Sequence, residues 1–139
     1  FEGLPVPEHE KDSGLDLSKG IYPQLAVSLD TVRANFAAYG LLDDTRQHFL
    51  KGWFSDTLHD APTRQIALLR MDGDLYVSTM DTLNALYDRV TPGGIVIVDD
   101  YGVLRACREA IADFFAARGE PVPQMTKIDW TGTFFTKPH

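Results

Sequence analysis

Four aspartates in two short blocks are the residues best suited to chemistry. Asp72 and Asp74 stand in Leu69-Arg-Met-Asp-Gly-Asp-Leu75, and Asp99 and Asp100 end Ile95-Val-Ile-Val-Asp-Asp100. Carboxylates brought together repel, so a cluster of them needs a cation inside it or a proton shared between acids. Oxygen-only ligands favour a hard ion such as magnesium over zinc, which prefers His and Cys. One acid at one strand end needs no such explanation, because acids often end buried strands simply by being soluble there. Acids at two strand ends joined by a single crossover point to a metal.

The segment between the blocks is what brings them together. Ile66–Met71 and Ile95–Val98 are apolar runs without polar alternation, the pattern of strands covered on both faces of a sheet. Between them, Tyr76, Met80, Leu83, Tyr87 and Val90 recur in steps of four and three, which predicts a helix over 75–91 with one apolar face. Strand, helix and strand in this order make a right-handed parallel crossover. Both strands then finish at one edge of the sheet, about 4.8 Å apart. Asp72 can there meet Asp99 and Asp100, where open α/β sheets bind their ligands. Arg70, between two apolar neighbours in the first run, has no role in this scheme.

The remaining elements follow in order. Residues 5–23 are polar and broken by Pro5, Pro7, Gly14, Gly20 and Pro23, which suits a lid over a site or a surface connection. His9 lies within this segment, and a lone loop histidine is more often solvated than functional. Ser28 to Tyr39 reads as a helix with Ser28 as N-cap, a stripe of Leu29, Val32, Phe36 and Tyr39, and Gly40 as the stop. Gln47 to Lys51 reads as a short strand. Gly52-Trp53-Phe54 then turns into a short helix capped by Ser55 and ending before Pro62. Those aromatics either receive a flat ring such as adenine or belong to the core, and spacing alone slightly favours the core.

Pro92-Gly93-Gly94 is a tight turn into the second strand. Beyond Asp100, Leu104, Cys107, Ile111 and Phe114 mark a buried helical face closed by Gly119, so Cys107 reads as packing rather than as a nucleophile. Gln124–Trp130 and Thr133–Thr136 form a hairpin about Thr131-Gly132.

The 139 residues fit one α/β domain, with 44% apolar and 24% charged residues and no apolar run approaching a membrane span. Nothing resembles a signal peptide, so a cytoplasmic location is the default. A single cysteine excludes an internal disulfide and any multi-thiolate metal site. The net charge of -7 argues against a nucleic-acid partner. A homo-oligomer is compatible with the chain. The opening Phe1-Glu-Gly-Leu-Pro5 reads as a loop entered from a strand, as in the later portion of a longer chain.

Several blocks, in this order, resemble the macrocin O-methyltransferase family, magnesium-dependent enzymes that methylate sugar hydroxyls on macrolide and aminocoumarin antibiotics. They are Phe1-Glu-Gly-Leu-Pro5, more loosely Val27–Asn35, Phe49-Leu-Lys-Gly-Trp-Phe54, Leu69–Leu75 with Ser78-Thr79, and Val96–Tyr101 with Cys107-Arg108. The resemblance implies a Rossmann-like class I methyltransferase sheet ending in an antiparallel hairpin, of which residues 1–139 are the C-terminal portion without the first strands. It implies S-adenosylmethionine and Mg2+ as cofactors and a glycosylated small-molecule acceptor, with no membrane partner. Carried over residue by residue, Asp72, Asp99 and Asp100 become the magnesium ligands. Asp72 or Asp74 becomes the catalytic base, and Gly3, Gly52, Trp53 and Phe54 border the cofactor. The acceptor pocket falls partly to residues 5–23. With the first strand and its glycine-rich loop expected before Phe1, these residues alone are not expected to methylate anything.

Three rivals fit less well. A haloacid dehalogenase-like phosphatase, with Asp72 as nucleophile, needs a Lys between the acid blocks, and none occurs from Asp74 to Asp99. The Asp-x-Asp of nucleotide-sugar glycosyltransferases is only two residues, and the neighbouring blocks do not fit. A non-catalytic domain that keeps the fold for binding partners is disfavoured by acids at both strand ends.

Overall fold

The computed structural model describes all residues, Phe1–His139. The first 27 residues are irregular apart from two 3-10 turns, Glu10–Asp12 and Pro23–Leu25, and one bridge between Leu4 and Ser18. Helix α1 spans Leu29–Ala38, and the Ser28 hydroxyl accepts from Thr31 N as the predicted N-cap. The short helix α2 covers Phe54–Thr57. Strand β1 is Ile66–Met71, helix α3 Tyr76–Leu86, and β2 Val90–Val98. Helix α4 spans Arg105–Ala117, followed by the hairpin strands β3 (Thr126–Lys127) and β4 (Thr133–Thr136). The sheet order is β1-β2-β4-β3, with β1 and β2 parallel and the other pairs antiparallel.

The parallel crossover and the C-terminal hairpin thus form as predicted. Helices α3 and α4 lie against one face of the sheet. Leu83 and Leu86 of α3, and Cys107, Ile111, Phe114 and Phe115 of α4, share one core with Leu69, Met71, Val96, Val98 and Phe135. Tyr87, Phe114, Phe115 and Phe135 meet edge to face or tilted, with ring centroids 5.2–6.4 Å apart. No helix is long and apolar enough to cross a membrane.

Several expectations are corrected. Within residues 1–139 the helices cover one face of the strands. Leu68 and Ile95 are 56% and 38% exposed, so the apolar runs alternate in burial despite their uniform composition. Helix α3 stops at Leu86 rather than Thr91, because a 3-10 turn at Tyr87–Arg89 leads straight into β2. The Lys137 ammonium donates to the carbonyls of Tyr87 and Val90 there, supplying partners that a longer helix would have supplied. Strand β2 begins at Val90, with Pro92-Gly93-Gly94 inside it as a bulge: Ile66 pairs with Val90, but Leu68 pairs with Ile95. A side chain at position 94 would lie 2.8 Å from Thr91 O and 3.1 Å from Ala67 O, so only glycine lets the strands close past the bulge.

Gln47–Lys51 forms no strand, since no neighbouring segment offers it a ladder. Ser55 does not cap α2: it lies inside the helix, and Trp53 is the N-cap residue. Tyr39 is the C-cap of α1 and is 81% exposed, so the α1 stripe ends at Phe36. The first hairpin strand shrinks to two residues because Ile128 and Asp129 N–H groups both turn onto Gly132 O.

Phe115, 1% exposed at the centre of the aromatic cluster, gives a direct check on this packing. Phe115→Ala should lower unfolding free energy by about 3–5 kcal/mol, read from denaturant titration of the full-length protein.

Candidate metal and substrate site

The ends of β1 and β2 are in register. Met71 pairs with Val98, and Asp99 N donates to Met71 O at 3.0 Å, carrying the ladder one step beyond the strands. Asp72 and Asp99 therefore leave the sheet side by side. Carboxylate oxygens of Asp72, Asp99 and Asp100 all lie within 4.8 Å of one another. The connecting loop bends sharply: Asp74 takes a left-handed backbone, φ 57°, and its N–H donates to Asp100 Oδ2 at 3.2 Å. A Cβ on Gly73 would sit 3.0 Å from Ser78 Cβ and 3.4 Å from Phe54 Cε2. The loop is thus pressed between α3 and α2, and Gly73 keeps it thin enough to fit.

Arg70 is the residue for which the sequence offered no role. Its alternation along β1 puts it on the same face as Asp72. Its Nη1 lies 2.8 Å from Asp72 Oδ2, and its Nη2 donates to Asp99 Oδ1 at 2.7 Å. One guanidinium fork therefore bridges two of the three clustered acids. Asp100 is beyond its reach. Burial, with repulsion from Asp74 next, pushes the Asp100 carboxyl up to about 7. Burial likewise raises Asp74 above the usual carboxylate range, with repulsion from Asp72 and Asp99 adding to it. Negative charge is thus crowded on the side away from Arg70. Cys107 is no alternative nucleophile here, since burial pushes its thiol up to about 12.

A cleft of about 1690 Å³ opens beside the cluster. Gly3, Gly52, Trp53 and Phe54 all line it together with Arg70 and Asp72, whereas Asp74, Asp99 and Asp100 do not line it. Trp53 and Phe54 are 51% and 40% exposed, outside the core formed by these residues, and both line the cleft. Pro5 to His9 and Ser18 to Gly20 line the opposite side, which makes the irregular N-terminal segment a wall of the site. His9 is not simply solvated: its ring stacks on Tyr76 with centroids 4.5 Å apart.

Two site residues escaped sequence reasoning. Arg70 was visible as a charge inside an apolar strand, but its partners are fixed only once the strands pair. Asp12, discussed below, left one trace: Leu75, at the start of α3, has no side-chain oxygen to cap a helix.

The donor set fits a hard divalent cation: three carboxylates converge, each with an oxygen left over from Arg70 or Asp74, and the charge among them is incompletely offset. Comparisons with known proteins address the family and the fold. The chain is 48% identical to the 8-demethyl-8-(2,3-dimethoxy-alpha-L-rhamnosyl)-tetracenomycin-C 4'-O-methyltransferase of Streptomyces olivaceus, over 97% of this chain and 51% of that protein. It is 41% identical to the mycinamicin III 3''-O-methyltransferase of Micromonospora griseorubida, over 99% of this chain and 54% of that protein. It is 48% identical to the demethyldecarbamoylnovobiocin O-methyltransferase of Streptomyces niveus, over 99% of this chain and 52% of that protein. The chain therefore spans about half the length of these relatives. The solved O-methyltransferase NovP superposes on the whole chain with a TM-score of 0.92 at 42% identity, over 57% of its own length. The calicheamicin methyltransferase CalS11 gives 0.72 at 18% identity over 98% of this chain and 57% of its own, a likeness of fold alone. The fold here is a partial methyltransferase sheet, and the family description Macrocin-O-methyltransferase (TylF) matches residues 1–137: the chain belongs to that family.

Proposed function

We propose that this chain carries the metal and acceptor side of an S-adenosylmethionine-dependent O-methyltransferase. Its acceptor is a deoxysugar hydroxyl on a glycosylated antibiotic of the macrolide or aminocoumarin type, and its metal is magnesium. The carrying observation is the convergence of Asp72, Asp99 and Asp100 carboxylates within 4.8 Å, beside an aromatic-edged cleft. The relatives' activities, O-methyl transfers on tetracenomycin, mycinamicin and novobiocin intermediates, support the same class of acceptor.

A sugar hydroxyl holds its proton tightly and is a poor nucleophile. Asp72, Asp99 and Asp100 would hold a divalent ion, which would supply Lewis-acid stabilisation of negative charge on the acceptor oxygen, worth several kcal/mol in such sites. Asp72 has two tasks. It is the clustered acid that also lines the cleft, so one of its oxygens can accept the hydroxyl proton while the carboxylate stays fixed by Arg70. Asp74 does not line the cleft and is the lesser candidate for base. Gly3, Gly52, Trp53 and Phe54 would border the methyl donor, with the exposed rings of Trp53 and Phe54 offering apolar faces to its adenine. The wall from Pro5 to His9 closes the acceptor side, and alignment of the two reactants lowers the barrier further.

Magnesium should raise the thermal stability of the full-length protein, by about 2.7 kcal/mol at a hundredfold excess over the dissociation constant. Asp72→Ala and Asp99→Ala should abolish both that shift and methyl transfer. Full activity in chelator would sink the metal role.

Without metal, stability should depend on pH with a defined sign. Asp100 titrates near 4 when unfolded and about 7 when folded, so the folded state binds more protons between those values. Stability should then fall as pH rises from about 4 to about 7, and magnesium should flatten the slope by favouring the ionised acid. Denaturant midpoints at pH 5 and 8, with and without magnesium, measure this.

Arg70→Met should cost the metal-free protein up to about 1 kcal/mol, a figure kept small because both ion pairs are half exposed. Saturating magnesium should recover most of it, and the same denaturation series checks the outcome.

A further inference from the structure

Helix α3 begins where the Asp72-Gly73-Asp74 loop ends, and its first N–H groups need acceptors that the helix cannot supply. Leu75 at the N-cap has none to give. The acceptors come from a distant turn. Asp12 takes a hydrogen bond from Tyr76 N on one carboxylate oxygen at 2.6 Å and from Val77 N on the other at 3.4 Å. Asp12 is only 1% exposed. A carboxylate is tolerated at that depth because it accepts from peptide N–H groups at the positive end of a helix.

The residues around Asp12 fasten the same turn. Lys11 forms an ion pair with Asp113 of α4 and lies 4.8 Å from the Tyr76 ring centroid. Tyr76 donates its hydroxyl to Asp113 Oδ2 at 2.8 Å, and His9 stacks on its ring. Residues 9–12 are therefore held to two helices of the core. On either side the chain returns to the cleft, as Pro5 to Glu8 before the turn and Ser18 to Gly20 after it. The turn is the fixed point from which both stretches of the acceptor wall extend.

We propose that Asp12 is a positioning residue that locks the acceptor wall to the aspartate loop, so that a sugar acceptor is seated in register with Asp72. Its effect on acceptor binding rests on the methyltransferase reading above. Its mechanical role does not. On the donor side Gly52–Phe54 are carried by a separate segment, whereas Gly3 directly precedes the wall, so Asp12 governs the acceptor first and touches the donor only through Gly3. His9 and Lys11 assist by holding the turn flat against Tyr76, but neither reaches the backbone of α3.

The test compares Asp12→Ala and Asp12→Asn in the full-length enzyme. Asparagine keeps one acceptor oxygen at nearly the same volume, which guards against simple loss of folding. Hydrogen exchange without substrates is the first measurement. In Asp12→Ala the amides of Tyr76 and Val77 and the backbone of residues 5–23 should lose protection together, and Asp12→Asn should lose less of both. Steady-state kinetics is the second. The acceptor KM should rise about tenfold in Asp12→Ala, the scale of a lost helix cap, while the KM for S-adenosylmethionine stays within about twofold; Asp12→Asn should recover most of the acceptor affinity.

Loss of protection at Tyr76 and Val77 alone, with residues 5–23 unchanged, would reduce Asp12 to an ordinary cap and overturn the proposal. So would an equal rise in both KM values, the mark of general loosening. Wild-type enzyme that transfers no methyl group to any sugar hydroxyl would defeat the functional reading instead, and hydrogen exchange would still decide the role of Asp12.

Discussion

Repulsion between carboxylates is the constraint around which the rest of this structure is arranged. Pairing Met71 with Val98 forces Asp72 and Asp99 to leave the sheet next to each other, and nothing in the strands themselves makes that favourable. Core burial is what holds them there. Val96, Val98, Leu69 and Met71 sit beneath α3 and α4 with almost no exposed surface, and burying such side chains is worth about 1.5–3 kcal/mol each. Slipping the register by one residue would separate the acids but would also turn those side chains outward. The hydrophobic face thus dictates the electrostatic one.

The two faces of the sheet differ for the same reason. The face under the helices carries the core, while Leu68, Ile95 and Arg70 lie on the other and stay exposed. Arg70 uses that freedom to reach forward to the acids. An arginine on the buried face could not make those contacts without losing its hydration, a cost of several kcal/mol. The open face therefore supplies the counter-charge and the covered face supplies the rigidity.

What could be read from the sequence was what depends on near neighbours. The steps from Tyr76 to Tyr87 gave a helix, Ser28 gave a cap, and two apolar runs about a helix gave a parallel pair with acids at one edge. The end of α3 was misplaced because Lys137, fifty residues from Tyr87, satisfies the carbonyls there. Gln47–Lys51 has strand-like composition, yet a strand exists only where another backbone answers it. Within these residues α3 and α4 cover one face of β1 and β2, and composition alone does not say which face that is. Trp53 and Phe54, for which spacing slightly favoured a core place, line the cleft in these residues. The site was legible as far as the acids, while Arg70 and Asp12 depended on contacts that spacing does not encode.

The charge balance at the acids argues for a divalent ion on its own terms. Asp72, Asp99 and Asp100 bring three negative charges, and Arg70 returns one positive charge to the pair it bridges. A second arginine would have neutralised the site further and left less for a metal to do. With one, two unbalanced charges remain, the number that a doubly charged cation cancels. Asp74 adds a fourth acid, but burial and its neighbours raise its proton affinity together with that of Asp100, so a proton held between the two keeps the excess at two charges while no metal is bound. A bound cation would release that proton, free Asp100 as a ligand and leave one negative charge over. The same crowding of charge that makes the metal-free site costly would give a metal its affinity.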